Sequence, residues 1–150
     1  MTFSKDKWAG FPAYVFVYGT LQPGGLYWQS YCAGRVRSVS AARIHGKLYD
    51  LHIGYPGLRL EGEGWVKGCL LELPKPEDLA RIDQLEGYDP ARSEAANEYI
   101  RRRVACFDSF GEILGEAWAY EVSQAELSRC SGTWIESGVW PLDGPDGPSC

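Results

Sequence analysis

The apolar positions of the chain fall into short runs, and their spacing predicts curling strands with a few helices laid against them. Residues 13–18 form an unbroken apolar run rich in β-branched and aromatic side chains, the pattern of a strand buried on both faces. It stops abruptly at Gly19-Thr20, and the following stretch to Gly25 has turn chemistry. Residues 26–33 are aromatic and mixed and suit a short helix. Three later runs, 43–49, 65–71 and 113–118, each carry a glycine near the middle, with an apolar residue two places on. Glycine weakens a strand unless it permits a bulge, a bend or a close approach, so these runs predict the curled strands of a small barrel. Gly54-Tyr55-Pro56-Gly57 is a turn signal; a further strand is predicted over 98–107, with Asp108-Ser109-Phe110-Gly111 closing a hairpin into the next. Residues 1–12 read as a lead-in and 141–150, rich in Gly, Pro and Asp, as a frayed tail.

Two segments carry helix signals. Ser123 with Glu126 three places on is a capping-box pattern. Pro76 suits a first helical position, Glu77 and Asp78 are ordinary first-turn acids, and Gly87 suits a helix end, which predicts a helix over 76–86. Its apolar stripe is Leu79, Ile82 and Leu85. Glu86 lies four residues after Ile82 and seven after Leu79, so it projects from the same face. A carboxylate aimed at the core in the last turn meets both desolvation and an unfavourable helix dipole. Both effects raise its pKa and make Glu86 a candidate proton-transfer group, unless the helix end frays and the side chain turns to water. The strand-ending loop offers a complementary chemistry. Gly19 permits unusual backbone angles and close approach, and the N–H groups of Gly19, Thr20 and Leu21 can receive an oxygen.

Composition narrows the class. The 150 residues, 45% hydrophobic and 13% aromatic, predict a single globular domain with its core over about 13–140. A net charge of −5 argues against nucleic acid as a main partner. The basic run Arg101-Arg102-Arg103 would alternate between strand faces and is expected to be solvated or salt-bridged. No window approaches the roughly 20 apolar residues of a membrane span. The first ten residues lack an apolar signal region, so a cytoplasmic location is expected and no membrane partner. The five cysteines include no Cys-x-x-Cys pair, and most are expected to be reduced and buried. His45 and His52 have no Cys or carboxylate at ligand spacing, so neither a metal nor another cofactor is expected.

Tyr18-Gly19-Thr20-Leu21 after an apolar strand resembles the Tyr-Gly-Ser/Thr-Leu signature of the γ-glutamylcyclotransferase-like family. Asp83-Gln84-Leu85-Glu86-Gly87-Tyr88 is similar to that family's second motif. Tyr55-Pro56-Gly57, Tyr99-Ile100-Arg101 and Trp118-Ala119-Tyr120 add to the likeness, which covers about 14–122. The resemblance implies an α+β fold, a small mixed β-barrel flanked by helices with a cavity at one end. It also implies cleavage of a γ-glutamyl amide by its own α-amine, releasing 5-oxoproline and an amine without any cofactor. By that likeness Glu86 would be the catalytic acid–base, Tyr18, Gly19, Thr20 and Leu21 would hold the γ-glutamyl group, and Tyr99 and Tyr120 would line the cavity. The alternative within the same fold is a non-catalytic protein that binds a γ-glutamyl or other carboxylate metabolite. A third reading, a hydrolase or acyltransferase using Thr20, Cys32 or Cys69, lacks a neighbouring base to activate the nucleophile. Residues 91–97 match no motif, and Trp8, Trp28, Trp65, Trp134 and Trp140 are expected mostly in the core. The leaving group and the oligomeric state are not assigned by any of these features.

Overall fold

The computed structural model describes residues 12–141. In chain order its elements are β1 (Ala13–Val17), α1 (Trp28–Tyr31), β2 (Ser38–His45), β3 (Lys47–Asp50), β4 (Pro56–Arg59), β5 (Trp65–Leu73), α2 (Pro76–Leu85), β6 (Tyr99–Phe107), β7 (Ile113–Val122), α3 (Gln124–Cys130) and β8 (Thr133–Ile135). A short 3-10 turn, Glu94–Ala96, precedes β6. Five strands close into a barrel in the order β1, β5, β2, β6 and β7. The four neighbouring pairs are antiparallel, and β7 returns parallel to β1 at Val15 and Trp118. From β7 the sheet continues outward through β4, β3 and β8. The fold is α+β, a closed mixed barrel with extra strands and helices. Among the described residues no helix is long and apolar enough to cross a membrane.

Closure explains the sequence of β1. A strand hydrogen-bonded on both edges and covered on both faces must be apolar throughout, and Val15, Phe16 and Val17 are all buried. Phe16 joins Ile44, Leu58, Val66 and Ala119 in one apolar cluster drawn largely from strands. Val15 and Val17 join Leu71, Leu79, Ile82 and Val122 in a second cluster that also takes in the apolar face of α2. The period-2 alternation of β1 thus sends successive side chains to two cores.

The mid-run glycines have three different causes. Gly68 in β5 faces the backbone of β1 so closely that a Cβ would lie 2.1 Å from the Val17 carbonyl oxygen. Gly115 in β7 has φ +139 and lies where the β6–β7 register shifts at Cys106/Phe107, a bulge. Gly46 is not inside a strand: it is the corner between β2 and β3, where β2 starts earlier than expected, at Ser38. The turn expected at 54–57 ends sooner, because β4 already begins at Pro56 and pairs with β3. β8, a three-residue strand, carries no period from which it could be read.

Other expectations sort similarly. α2 begins with Pro76 in its first turn and ends at Leu85, within one residue of the predicted span. Asp78 is no ordinary first-turn acid; it is buried and its Oδ1 lies 3.4 Å from the Arg35 guanidinium. Ser123 caps α3 by accepting from the Glu126 N–H at 3.2 Å. The Glu126 side chain does not complete the box, since both its oxygens take Arg129 instead. Arg101, Arg102 and Arg103 are each ion-paired, to Asp83, to Glu94 and Glu121, and to Glu116. Cys32 and Cys106 are free and buried, Cys130 is free and half-buried, and Cys69 is buried and disulfide-bonded. Trp28 and Trp140 pack against the two cores and Trp65 stacks on His45, whereas Trp134 is exposed and Trp8 lies outside the described residues. The tail expected over 141–150 likewise lies outside them, apart from its first residue.

Gly68→Ala is expected to destabilise the fold by about 2 kcal/mol or more, because the obstacle is backbone that cannot step aside. Urea unfolding of the variant checks this; an unchanged midpoint would refute the close-approach argument.

Candidate active site

The loop after β1 is held by its side chains as well as its backbone. The Tyr18 hydroxyl donates to the Tyr120 carbonyl at 2.6 Å and accepts the Leu58 N–H at 3.3 Å, tying the strand end to β7 and β4. Gly19 has no left-handed backbone angle. Its role is spatial, since a Cβ there would meet the Pro56 ring at 2.9 Å. A turn closes with the Gln22 N–H on the Gly19 carbonyl at 3.1 Å. The buried Gln22 side chain supports the same carbonyl through its Nε2 at 3.3 Å. Tyr27 N–H reaches the Thr20 carbonyl at 2.9 Å, and a Cβ on Gly25 would strike that carbonyl at 2.4 Å. The loop's carbonyls are therefore occupied. The N–H groups of Gly19, Thr20 and Leu21 have no acceptor among the described residues, although Gly19 and Leu21 are buried. Buried unpaired donors are costly, and here three consecutive ones border an open space.

Glu86 borders the same space. It is the C-cap of α2, and the chain leaves the helix through a Schellman turn: Tyr88 N–H bonds the Asp83 carbonyl at 2.9 Å and Gly87 N–H the Gln84 carbonyl at 3.1 Å. Gly87, with φ +64, supplies the left-handed residue that this turn requires. The helix end is thus fixed and does not fray. The Glu86 carboxyl has no hydrogen-bond partner among the described residues. Burial raises its pKa to about 8, with further upward pushes from the charges of Glu98 and Asp83. Burial was the cause expected from the sequence; the neighbouring carboxylates were not.

One cavity of about 170 Å³ brings these parts together. Tyr18, Gly19, Thr20, Leu21, Glu86, Tyr99 and Tyr120 all line it. The three tyrosines do so with their hydroxyls already committed. Tyr99 donates to the Pro56 carbonyl at 2.6 Å, and Tyr120 donates to Asp83 Oδ1 at 2.5 Å while Arg101 holds Asp83 Oδ2 at 2.7 Å. They are walls of the cavity, and burial pushes the pKa of each upward. No Lys, Arg, His or Cys appears in the lining, so Thr20 has no base beside it. Among the described residues, no cluster of His, Cys, Asp or Glu is placed to hold a metal ion.

Among the lining residues that sequence reasoning did not assign to the site, Tyr55 and Glu98 stand out as a hydrogen-bonded pair. The Tyr55 hydroxyl donates to Glu98 Oε1 at 2.6 Å. Tyr55 stood in a quoted motif but was taken as turn chemistry. Glu98 stands at a strand edge, where an acid carries no signal of its own.

The described residues define a small mixed barrel with a carboxyl-bearing cavity at the end of one buried strand. Residues 15–142 match the family of gamma-glutamyl cyclotransferase, AIG2-like proteins, and the chain belongs to that family. It is 36% identical over 106 residues to the gamma-L-glutamyl-butirosin B gamma-glutamyl cyclotransferase of Niallia circulans, covering 71% of this chain and 65% of that protein. The chain thus aligns with less than two thirds of that relative. Among solved structures, an AIG2-like protein from Mus musculus superposes with a TM-score of 0.66 at 17% identity, covering 89% of this chain and 90% of that one. The protein ytfP from Escherichia coli gives a TM-score of 0.53 at 27% identity over 87% and 96% of the two chains. The first of these bears on the fold alone.

A carboxyl whose folded pKa is raised stabilises the fold fully below its unfolded value near 4.5, and that contribution is lost as pH rises through about 8. Glu86→Gln removes the titration. Its melting temperature is therefore expected to gain on the wild type between pH 5 and pH 8.5, by roughly 5 °C or more. A difference that stays constant with pH would show that Glu86 is solvated in the folded protein.

Proposed function

We propose that the protein is a γ-glutamyl cyclotransferase, converting a γ-glutamyl amide into 5-oxoproline and a free amine. The observation that carries this reading is one small cavity lined both by a half-buried, unpartnered carboxyl and by a loop with a row of unpaired N–H donors. Family membership and the Niallia circulans relative support the choice of reaction.

The chemistry needs little beyond that pairing. Nucleophile and electrophile belong to one molecule, so holding the γ-glutamyl chain folded supplies much of the acceleration. Ionised Glu86 takes a proton from the α-ammonium. The freed amine attacks the γ-carbonyl carbon, a carbon–nitrogen bond forms, and the carbonyl oxygen becomes an oxyanion. The N–H groups of Gly19, Thr20 and Leu21 are the donors suited to that oxyanion. Glu86 then gives its proton to the amide nitrogen, whose bond to the γ-carbon breaks. The new ring nitrogen returns its second proton to the regenerated carboxylate, which passes it to the departing amine. Two protons leave the α-nitrogen and two reach the leaving amine, so a single carboxyl group suffices as shuttle.

Turnover is tested with a panel of γ-glutamyl amino acids and amines and a 5-oxoproline readout. Glu86→Gln keeps the shape of the side chain but carries no proton, and is expected to lose about 10²-fold or more of kcat. Full turnover in that variant would sink the mechanism. Tight binding of γ-glutamyl compounds to the wild type without product would favour a binding protein instead. Because Glu86 must lose its proton between free enzyme and transition state, kcat/KM is expected to rise with pH and level off above about 8. A profile already flat between pH 5.5 and 8.5 would assign proton transfer to another group.

A further inference from the structure

The mechanism above uses one carboxylate, but the cavity contains two. Glu98 lines it together with Glu86, and no cationic side chain appears in the lining to neutralise either. Glu98 is held in place by a neighbouring element: its Oε1 accepts from Tyr55, just ahead of β4, at 2.6 Å. Its Oε2 has no hydrogen-bond partner among the described residues. That oxygen lies over Gly87, the residue next to Glu86, and would be 3.2 Å from a Cβ placed there. Arg129, on which the charge of Glu98 acts weakly, is bound by both oxygens of Glu126 and forms no ion pair with Glu98. A fixed carboxylate with one free oxygen, facing a space without cations, is a binding site for a cation.

The γ-glutamyl group carries one such cation, its α-ammonium. We propose that Glu98 is the substrate-binding carboxylate that receives this ammonium, leaving Glu86 to move its proton. The assignment rests on the cyclotransferase reading and extends it by dividing the work between the two acids. The groups facing Glu86 are Tyr18 from β1, Tyr55 ahead of β4, Glu98 and Tyr99 at the start of β6, and Tyr120 from β7. On its own helix lies Asp83, ion-paired to Arg101; the Asp83 charge also pushes upward on Glu86 but less than that of Glu98. Of these, Glu98 exerts the largest charge effect on Glu86. Before substrate enters, burial first and the charge of Glu98 second hold the Glu86 proton in place. Entry of an ammonium between the two offsets the repulsion and lets Glu86 ionise beside the group it must deprotonate. The site therefore takes amides with a free primary α-amine and rejects their N-acylated counterparts at the binding step.

The experiment measures binding of γ-L-glutamyl-methylamide to Glu86→Gln, which cannot turn it over, and to Glu86→Gln/Glu98→Gln. Loss of one charge-assisted contact is expected to weaken binding about tenfold in the double variant, while N-acetyl-γ-glutamyl-methylamide binds both equally poorly. Equal affinity of the two variants for the free amine, or no binding by Glu86→Gln itself, would overturn the proposal. If the double variant does not fold, Tyr55→Phe on the Glu86→Gln background replaces it. Releasing Glu98 from its hydrogen bond then weakens the methylamide by a smaller factor, and unchanged affinity counts against the assignment. A wild type that forms no 5-oxoproline from any γ-glutamyl amide would sink the cyclotransferase reading, and the binding comparison would still decide whether Glu98 is an ammonium site.

Discussion

A half-buried carboxyl group held over a cavity at the end of a helix is the constraint on which the rest of the site depends. Desolvation alone favours turning Glu86 outward, and the helix dipole adds to that preference. The Schellman turn at Gly87 removes the choice. With Tyr88 N–H bonded to the Asp83 carbonyl, the last residue of α2 cannot unwind without losing the cap. Leu79 and Ile82 hold the same helix against the barrel through its apolar stripe. The helix end then carries Glu86 into the cavity as a consequence of burial elsewhere on its surface.

The tyrosines show a second consequence of packing a polar cavity into a small fold. Tyr18, Tyr99 and Tyr120 come from β1, β6 and β7, and each hydroxyl is directed to a fixed partner. Tyr18 bridges β7 and β4, and Tyr99 reaches the first residue of β4. Tyr120 reaches across to α2 through Asp83, which Arg101 holds from the other side. These bonds fix the separation of the wall elements, so the loop and Glu86 are held at the border of one space that neither fills.

Much of this was legible in the chain. The apolar run into Gly19, the stripe of Leu79, Ile82 and Leu85, and the Gly87 stop are local signals, and local signals survive folding. The position of Glu86 on the buried face followed from helical spacing alone. Less legible were the features that depend on contacts between distant segments. Gly19 was read as allowing unusual backbone angles and close approach to a ligand; it leaves a gap for Pro56, which lies in a strand that the turn signal concealed. Asp78 looked like a first-turn acid until Arg35 came to meet it. Glu98 and Tyr55 acquire a function only once β4 and β6 are brought to the same cavity, which no period in either segment announces.

The contrast between the acids near the cavity follows from their partners. Asp83 is half-buried as well, but Tyr120 and Arg101 occupy its two oxygens, and those bonds oppose the effect of burial on its protonation. Glu86 has burial without compensation and so holds its proton to about pH 8. Two carboxylates three residues apart on one helix are thereby given different tasks, one structural and one able to exchange a proton near neutrality. The difference lies in what β6 and β7 present to them. Arg101 and Tyr120, directly opposed in the β6–β7 ladder, both reach Asp83 and leave Glu86 bare. The reactivity of Glu86 is in this sense set by the register of two strands on which it does not lie.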